Sequence, residues 1–341
     1  MKICLISGIY KPNHCGISDY IKLLSAELKC RGIEIVHFTI NQNEDPSHLA
    51  KNIPEAEIYS IQFAPYLFSK HGLSGGSLIE LSYALKGKKT HVNFHEIWIG
   101  AYPSAPLKEK LYGWIQKREI VKFLKTSKPH SITCSNAAVL DRLHRENIDA
   151  KYLYLFGNIA YFKFQKKPVV KMISIAIFGT LYEKFPYNIF FQKLTELATT
   201  SKKSIELIIM GRQRNGNGLT SLEKVAQEFK IKLRKYGELS PKSISHHLQQ
   251  CDIGVCTTPY DVLGKSGATA AMLEHRLPVI AFDDGDTKEE CLFVIKEFEE
   301  QIFLLNEPSF TDRLKQYMEM ERKPFFDGVT HTANEMLNLI N

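Results

Sequence analysis

An alternation that starts twice constrains this chain more than any other feature. Short runs rich in β-branched and aromatic residues, KICLIS, EIVHFTI, EIYSIQF, THVNFHE, SITCS and KYLYLF, read as strands. Between them stand longer runs with apolar residues at helical spacing: SDYIKLLSAELKCRG, SLIELSYALKG and PLKEKLYGWIQKREIVKFLKT. Strands separated by helices pair in parallel, and the helices cover the faces of a doubly wound sheet. In the first helix Ser18 is the expected N-cap and Gly32 the expected C-terminal stop. After FGNIAYFKFQKKP the pattern starts again, with MISIAIFG, IELIIMG, CDIGVCTT and LPVIAF as strands and SLEKVAQEFK and SISHHLQQ among the helices. MKICLISGIY and MISIAIFGTLY are alike, each an apolar strand that breaks at a glycine. Two α/β domains are therefore expected, over residues 1–163 and 164–325. A last helix over 326–341 can pack on either half, and the expectation is that it packs back on the first.

At 341 residues and 44% hydrophobic, the chain is long enough to bury two cores without covalent staples. Its apolar N-terminal run is short and lacks a small-residue cleavage site, so it reads as a first buried strand rather than a signal peptide. No stretch approaches the roughly 20 apolar residues of a membrane-spanning helix. The seven cysteines, Cys4, Cys15, Cys30, Cys134, Cys251, Cys256 and Cys291, show no metal-site spacing. They suit a reducing cytoplasm, and neither a metal nor a further cofactor is expected. A net charge of +7 favours anionic partners, but the lysines are dispersed as on an ordinary solvated surface, and nucleic acid is not an expected partner.

Ligands of doubly wound sheets lie beyond the C-terminal strand ends, and with two such domains the shared cleft is the expected site. That rule selects Gly8 to Ser18, Gln62 to Tyr66, His95 to Gly100, Ser135, Gly179 to Lys184, Gly211 to Arg214 and Thr257 to Thr269. Gly16 precedes a helix whose free amides attract anions, although it also suits a plain turn. His95 and Glu96 directly follow a strand, where an imidazole can bond a sugar hydroxyl, whereas His91 within the strand reads as structural. Trp98 suits either a stacking or a core role. Lys184 and Arg212 follow strand ends and are either diphosphate-binding cations or surface charges; Arg214 reads as surface.

The strongest single motif is DVLGKSGATAAMLEHRLPVIAF. A strand, a loop and a helix start near Lys265 or Ser266 would aim the amides of Ser266, Gly267 and Ala268 outward. Gly264 and Gly267 permit close approach, and Lys265 adds a full charge. Close helix packing on the sheet also explains the small residues, but not the lysine. The phosphate loop of nucleotidases does not fit, since it follows the first strand of its domain and this motif sits late in the second.

These segments together resemble the GT-B-fold glycosyltransferases of family 4, the retaining nucleotide-sugar transferases. The resemblance runs over nearly the whole chain, through GIYKPNHCGISDYIKLLSAELKCRGIEI, NFHE, SITCSN, IAIFGTLYEK, LIIMGR and YGELSPKSISHHLQQCDIGVCTTPYDVLGKSGATAAMLEHRLPVIA. SIQFAPY, HEIWIGAY, LYLFGNI and GKSGA are similar to an atypical subgroup of it. The resemblance implies two Rossmann-like domains facing each other across a cleft and a UDP- or GDP-type donor held mainly by the second. It further implies a hydroxyl acceptor, saccharide, lipid-linked or other, held mainly by the first, hexosyl transfer with retention, and no obligatory metal. Gly16 would face the donor phosphate, His95 the transferred sugar, and Gly264 to Ala268 the sugar and diphosphate.

Several positions depart from that pattern. The family's two glutamates, eight positions apart, fall on Asp261 and Thr269, and Thr269 cannot supply a ribose-binding carboxylate. The expected arginine is Thr180, and the lysine-glycine pair appears as Lys184 and Phe185. The expected machinery is thus His95, Asp261 and Lys265, with Lys265 replacing lost positive charge, and Gly16, Thr180, Lys184, Arg212, Gly264, Ser266, Gly267, Ala268 and Thr269 around the donor. Three other readings stand: a nucleotide-sugar epimerase or hydrolase on the same fold, a degenerate nucleotide-sugar-binding protein, and a dinucleotide dehydrogenase. The last is disfavoured because no G-x-G-x-x-G follows the first strand. The basic and aromatic stretch GAYPSAPLKEKLYGWIQKREIVKF suits either an ordinary amphipathic helix or peripheral contact with a membrane surface.

Overall fold

The computed structural model describes residues 1–8, 10–12, 15–41, 49–102, 105–165, 171–213, 217–284 and 296–340. The chain divides into two compact units, Met1–Tyr154 with Val329–Asn341, and Leu155–Gly328. Arg214 and Cys291 lie outside the described residues, as does the side chain of Asp261.

In the first unit the elements run β1 (Lys2–Ser7), α1 (Gly16–Cys30), β2 (Glu34–Thr39), α2 (Leu49–Asn52), β3 (Ile58–Phe63), α3 (Pro65–Phe68), α4 (Gly75–Ala84), β4 (Thr90–Phe94), α5 (Leu107–Ser127), β5 (Ser131–Cys134), α6 (Ala137–Arg145) and β6 (Lys151–Tyr152). The strands form one parallel sheet in the order β2-β1-β3-β4-β5-β6. Because the chain goes from β1 to β2 on one side and returns to β3 on the other, the connections diverge between β1 and β3. One face of the central strands is apolar, with Tyr59, Ile61, Phe63, Val92 and Phe94 in the core cluster.

Helix α1 ends as its sequence predicts. Gly32 takes φ +77°, its amide bonds Lys29 O, and that of Ile33 bonds Leu28 O. Its start differs from the expectation. Cys15 is the N-cap, while Ser18 is buried inside the first turn, where its hydroxyl accepts from the Lys11 amide at 2.9 Å. Ser18 therefore ties the incoming loop to the helix rather than capping it.

The second unit runs β7 (Met172–Phe178), α7 (Tyr187–Ser201), β8 (Ser204–Met210), α8 (Gly218–Glu228), β9 (Lys232–Gly237), α9 (Pro241–Gln250), β10 (Ile253–Pro259), a 3-10 turn (Tyr260–Lys265), α10 (Gly267–Glu274) and β11 (Val279–Phe282). A second 3-10 turn (Lys296–Gln301), β12 (Ile302–Leu304) and α11 (Phe310–Glu319) follow. The sheet is again parallel, in the order β12-β11-β10-β7-β8-β9, so the connections diverge between β7 and β10. Strands β9 and β12 have no counterpart among the sequence-predicted strands. Both are edge strands, and β9 is largely exposed and cationic, its Lys232 and Arg234 paired with buried Glu206 of β8.

The boundary falls at 154/155 rather than 163/164. Residues of the intervening segment already bond the second unit: Gly157 N donates to Glu274 Oε1 at 2.8 Å, Phe162 N to Ser245 Oγ at 3.2 Å and Phe164 N to Gln249 Oε1 at 3.2 Å. The last helix, α12 (Gly328–Ile340), is part of the first unit from Val329 on. Thr332 Oγ1 donates to Tyr154 O at 2.9 Å, and Arg31 of α1 donates to Thr330 O at 3.1 Å.

Candidate functional site

In the second unit the divergence between β7 and β10 brings two loops together, and Thr257 at the end of β10 joins them. Its buried hydroxyl donates to Thr180 O and accepts from Tyr182 N, both at 3.0 Å. Gln213 holds the same loop from β8, its Nε2 donating to Gly179 O at 3.0 Å. Gly179 has φ +94°, and a Cβ there would lie 3.0 Å from the Ala268 Cβ, so the strand end and the start of α10 are in close contact. Open sheets bind ligands at such a divergence.

The start of α10 carries the cap and the small residues of the GKSGA motif. Ser266 is the N-cap and its Oγ accepts from Thr269 N at 3.1 Å. Among the described residues, the amides of Gly267 and Ala268 have no acceptor. No atom lies within 4 Å of where a Gly267 Cβ would be, so packing does not demand that glycine; Ala268 is the residue that packs. Thr269 is 1% exposed and its hydroxyl donates to Ser266 Oγ at 2.8 Å, which makes it part of the cap rather than an open donor group. Gly264 and Lys265 end the 3-10 turn that leads into this cap, with Lys265 exposed. The backbone of Asp261 lies in the same turn.

Other cations are placed differently. Lys184 is exposed in the loop before α7. Arg212 forms a two-pronged ion pair with Glu238, at 2.6 and 3.1 Å. That hydrogen-bonded pairing raises the Arg212 pKa and lowers that of Glu238, so each stabilises the other's charge. Arg212 is thereby engaged by a carboxylate. Among the described residues no group of three or more His, Cys, Asp or Glu forms a metal-binding cluster.

Two of the expected residues belong to the first unit. Gly16 is the first residue of α1, with no atom within 4 Å of its Cβ position, so it too is not required by packing. His95 follows β4 and is 6% exposed, with Tyr20 of α1 edge-on to it at 4.9 Å. Burial, with a smaller effect of His91, lowers its pKa to about 3, and burial lowers that of His91 to about 4. Both imidazoles are neutral at physiological pH. Trp98 belongs to the apolar core, with Lys117 Nζ 5.8 Å from its ring centre.

His95 stands beside a group of polar side chains of which the sequence singles out only Gln62, at a strand end, and His91, as structural. Ser60 and Gln62 on β3, His91 and Asn93 on β4 and Thr133 on β5 are all buried, and the register pairs Ser60 with His91, Gln62 with Asn93, and Asn93 with Thr133. Their signal in the sequence is a period-2 row of polar residues on strands that are otherwise apolar. Gln62 Oε1 lies 2.9 Å from His95 Nε2.

No family model matches the sequence, and no curated protein matches it. Solved structures do. The lipopolysaccharide outer core galactosyltransferase WaaB in its apo form aligns over 100% of this chain and 99% of its own, at a TM-score of 0.58 and 12% identity. Anabaena HepE in complex with UDP aligns over 100% and 97%, at a TM-score of 0.57 and 13% identity. A Listeria monocytogenes protein assigned as a UDP-N-acetylglucosamine 2-epimerase aligns over 99% and 95%, at a TM-score of 0.53 and 11% identity. At such identities the likeness is one of fold: each unit is a Rossmann-like doubly wound sheet, and the chain has the GT-B fold.

Proposed function

We propose that the protein is a glycosyltransferase that moves a sugar from a nucleotide diphosphate donor to an acceptor hydroxyl. The observation that carries this reading is the assembly at the β7/β10 divergence, where Thr257 joins the Thr180 loop to the strand preceding α10 and the Gly267 and Ala268 amides have no acceptor among the described residues. A diphosphate placed there would accept from those amides. Lys265 and Lys184 would supply the charge that the family resemblance places on an arginine at Thr180, and Asp261 would bond the sugar. The Thr180 amide would contribute through the backbone, its carbonyl being taken by the Thr257 hydroxyl. Thr269 would act through the cap, and Arg212 only after parting from Glu238.

The reading extends to a retaining transfer of the family 4 type, with a UDP- or GDP-type donor. The bond from the anomeric carbon to the diphosphate oxygen breaks as the acceptor oxygen bonds the same face, and the acceptor proton passes to the departing diphosphate. Charge developing on that diphosphate is what the amides and Lys265 would stabilise. Gly16 would approach the donor phosphate and His95 the sugar. The UDP complex of HepE supports a nucleotide-bearing donor, and the galactosyltransferase WaaB supports sugar transfer. The epimerase-like neighbour supports a second reading, donor isomerisation or hydrolysis without transfer. Incubation with UDP- and GDP-sugars, with and without glycan and lipid-linked acceptors, separates them. Acceptor-dependent release of nucleoside diphosphate supports transfer, acceptor-independent isomerisation or hydrolysis supports the second reading, and binding without turnover supports a degenerate binding protein.

Helix α5 gives the proposal an acceptor side. Its outward face carries Leu107, Leu111 and Trp114, exposed to 84%, 58% and 57%, followed on the same face by Arg118, Lys122 and Lys125. Apolar anchors beside cations suit an anionic membrane surface and hence a lipid-linked acceptor at the cytoplasmic face. Among the described residues no helix is long and apolar enough to cross a membrane. Cosedimentation with phosphatidylglycerol vesicles but not phosphatidylcholine ones is expected, and Trp114→Ser with Leu111→Ser should abolish it.

A further inference from the structure

The five buried polar side chains beside His95 close into a ring. Gln62 Nε2 donates to Ser60 Oγ at 2.9 Å, and Ser60 Oγ lies 2.9 Å from His91 Nδ1. His91 Nε2 lies 2.8 Å from Thr133 Oγ1, which donates to Asn93 Oδ1 at 3.0 Å. Asn93 Nδ2 then donates to Gln62 Oε1 at 3.1 Å, and the circuit is complete. With the Gln62 and Asn93 amides oriented as they stand, the proton inventory sets its direction. Thr133 has one hydroxyl proton and directs it at Asn93, so its other contact must be received from a protonated His91 Nε2. His91 Nδ1 therefore accepts, and the Ser60 hydroxyl donates to it. Each member gives one hydrogen bond to the next around the whole ring.

His95 Nε2 meets this ring at two atoms, Gln62 Oε1 at 2.9 Å and, farther off, Asn93 Nδ2 at 3.4 Å. Gln62 Oε1 is a carbonyl oxygen and can only accept, and its contact is the shorter by half an ångström while the Asn93 amide is directed at Gln62 Oε1 at 3.1 Å, so the His95 nitrogen carries the proton. We propose that Gln62, oriented by this ring, is a positioning residue that fixes His95 as the neutral Nε2–H tautomer and leaves Nδ1 as a hydrogen-bond acceptor. Resting on the glycosyltransferase reading, the group that Nδ1 would receive is a hydroxyl of the transferred sugar, and His95 serves as a sugar-orienting acceptor instead of a phosphate-binding cation. Geometry and burial agree. The titratable groups against His95 are His91 on its own strand and Tyr20 from α1, while Glu96, next in sequence, is exposed. Neither His91 nor Tyr20 offers a carboxylate to stabilise an imidazolium.

A ring of this kind has two circulations, related by turning over both amides, and the opposite one would place the His95 proton on Nδ1. The two make opposite predictions for one measurement. Long-range 1H–15N NMR correlations on the full chain, labelled at histidine and assigned through loss of one ring in His95→Gln, distinguish the two nitrogens of each imidazole. Nε2 protonated and Nδ1 bare in both His91 and His95, unchanged from pH 5 to 8, is the expected result. A proton on His95 Nδ1, an imidazolium in that range, or a mixture of tautomers overturns the proposal. In Gln62→Glu a carboxylate replaces the neutral acceptor, so His95 should keep its Nε2 proton while its titration moves into the pH 5 to 8 window. A switch of the Nε2/Nδ1 assignment in that variant instead overturns it. Absence of nucleotide binding by the wild type would strike the donor reading and leave the tautomer result standing.

Discussion

Thr257→Val removes one hydroxyl and little else, and the hydroxyl it removes joins the two loops at the β7/β10 divergence. In the native protein that group donates to Thr180 O and accepts from Tyr182 N, both at 3.0 Å, and Thr257 is 4% exposed. Each such bond contributes about 1 kcal/mol net, and a backbone amide left buried without a partner costs about 1–3 kcal/mol. A destabilisation of about 2–3 kcal/mol is therefore expected. Thr257→Ser is the control. It keeps both bonds, loses one buried methyl, and should cost about 1 kcal/mol. Both tryptophans, Trp98 and Trp114, lie in the first unit, so their fluorescence follows that unit while far-UV circular dichroism follows both. Guanidinium titrations should show the loss in the dichroism. Calorimetry with UDP should show the functional half of the effect, because loops that must reorder on binding give up about 1–2 kcal/mol, roughly 5- to 30-fold in affinity. If valine matched wild type in both stability and nucleotide affinity, or if serine lost as much affinity as valine, Thr257 would not be what assembles the site.

Lys265→Ala should weaken nucleoside diphosphate binding about tenfold and leave the unphosphorylated nucleoside nearly unaffected; calorimetry showing less than about a threefold effect would remove Lys265 from the diphosphate site. Ser266→Ala should cost about 1 kcal/mol in denaturant titrations, since the cap of α10 and the Thr269 hydroxyl both depend on its Oγ. Stability should fall below about pH 6.5. The folded pKa values of His91 and His95, about 4 and 3, lie under the unfolded value, so the unfolded chain binds more protons there. Stability is complete above about pH 6.5 and is lost towards about pH 4, at about 1.4 kcal/mol per pH unit for each imidazole. Urea midpoints at pH 7 and pH 5 check this, and equal midpoints would contradict the neutral ring.

The doubly wound architecture was legible because strand-like and helical runs alternate twice along the chain, and strands such as β1 and β11, buried on both faces, read as apolar runs. The edge strands were not: β9, KLRKYG, exposes its charges and pairs two of them with Glu206, a pattern without apolar alternation. Ser18 was misread as a cap because a serine near a helix start scores alike outside the helix and within its first turn; only the Lys11 amide reveals which. In GKSGA packing does not demand the glycine at 267, where no atom crowds the Cβ position, whereas Ala268 is small because Gly179 lies against it. Thr269 looked like a missing ribose ligand, and its hydroxyl is taken by Ser266. The ring below His95 was written in plain alternation, yet a polar residue in a strand gives no sign from sequence of the neighbour it will meet until the register is known.

Calorimetric titration of the full chain with UDP and GDP, repeated on Lys265→Ala, tests the central claim most directly. The account predicts binding of at least one nucleoside diphosphate, weakened about tenfold by removal of the lysine, with a bound state that at 100 times its Kd is stabilised by about 2.7 kcal/mol. No heat with either nucleotide, or binding that ignores Lys265, would contradict a donor site at the β7/β10 divergence.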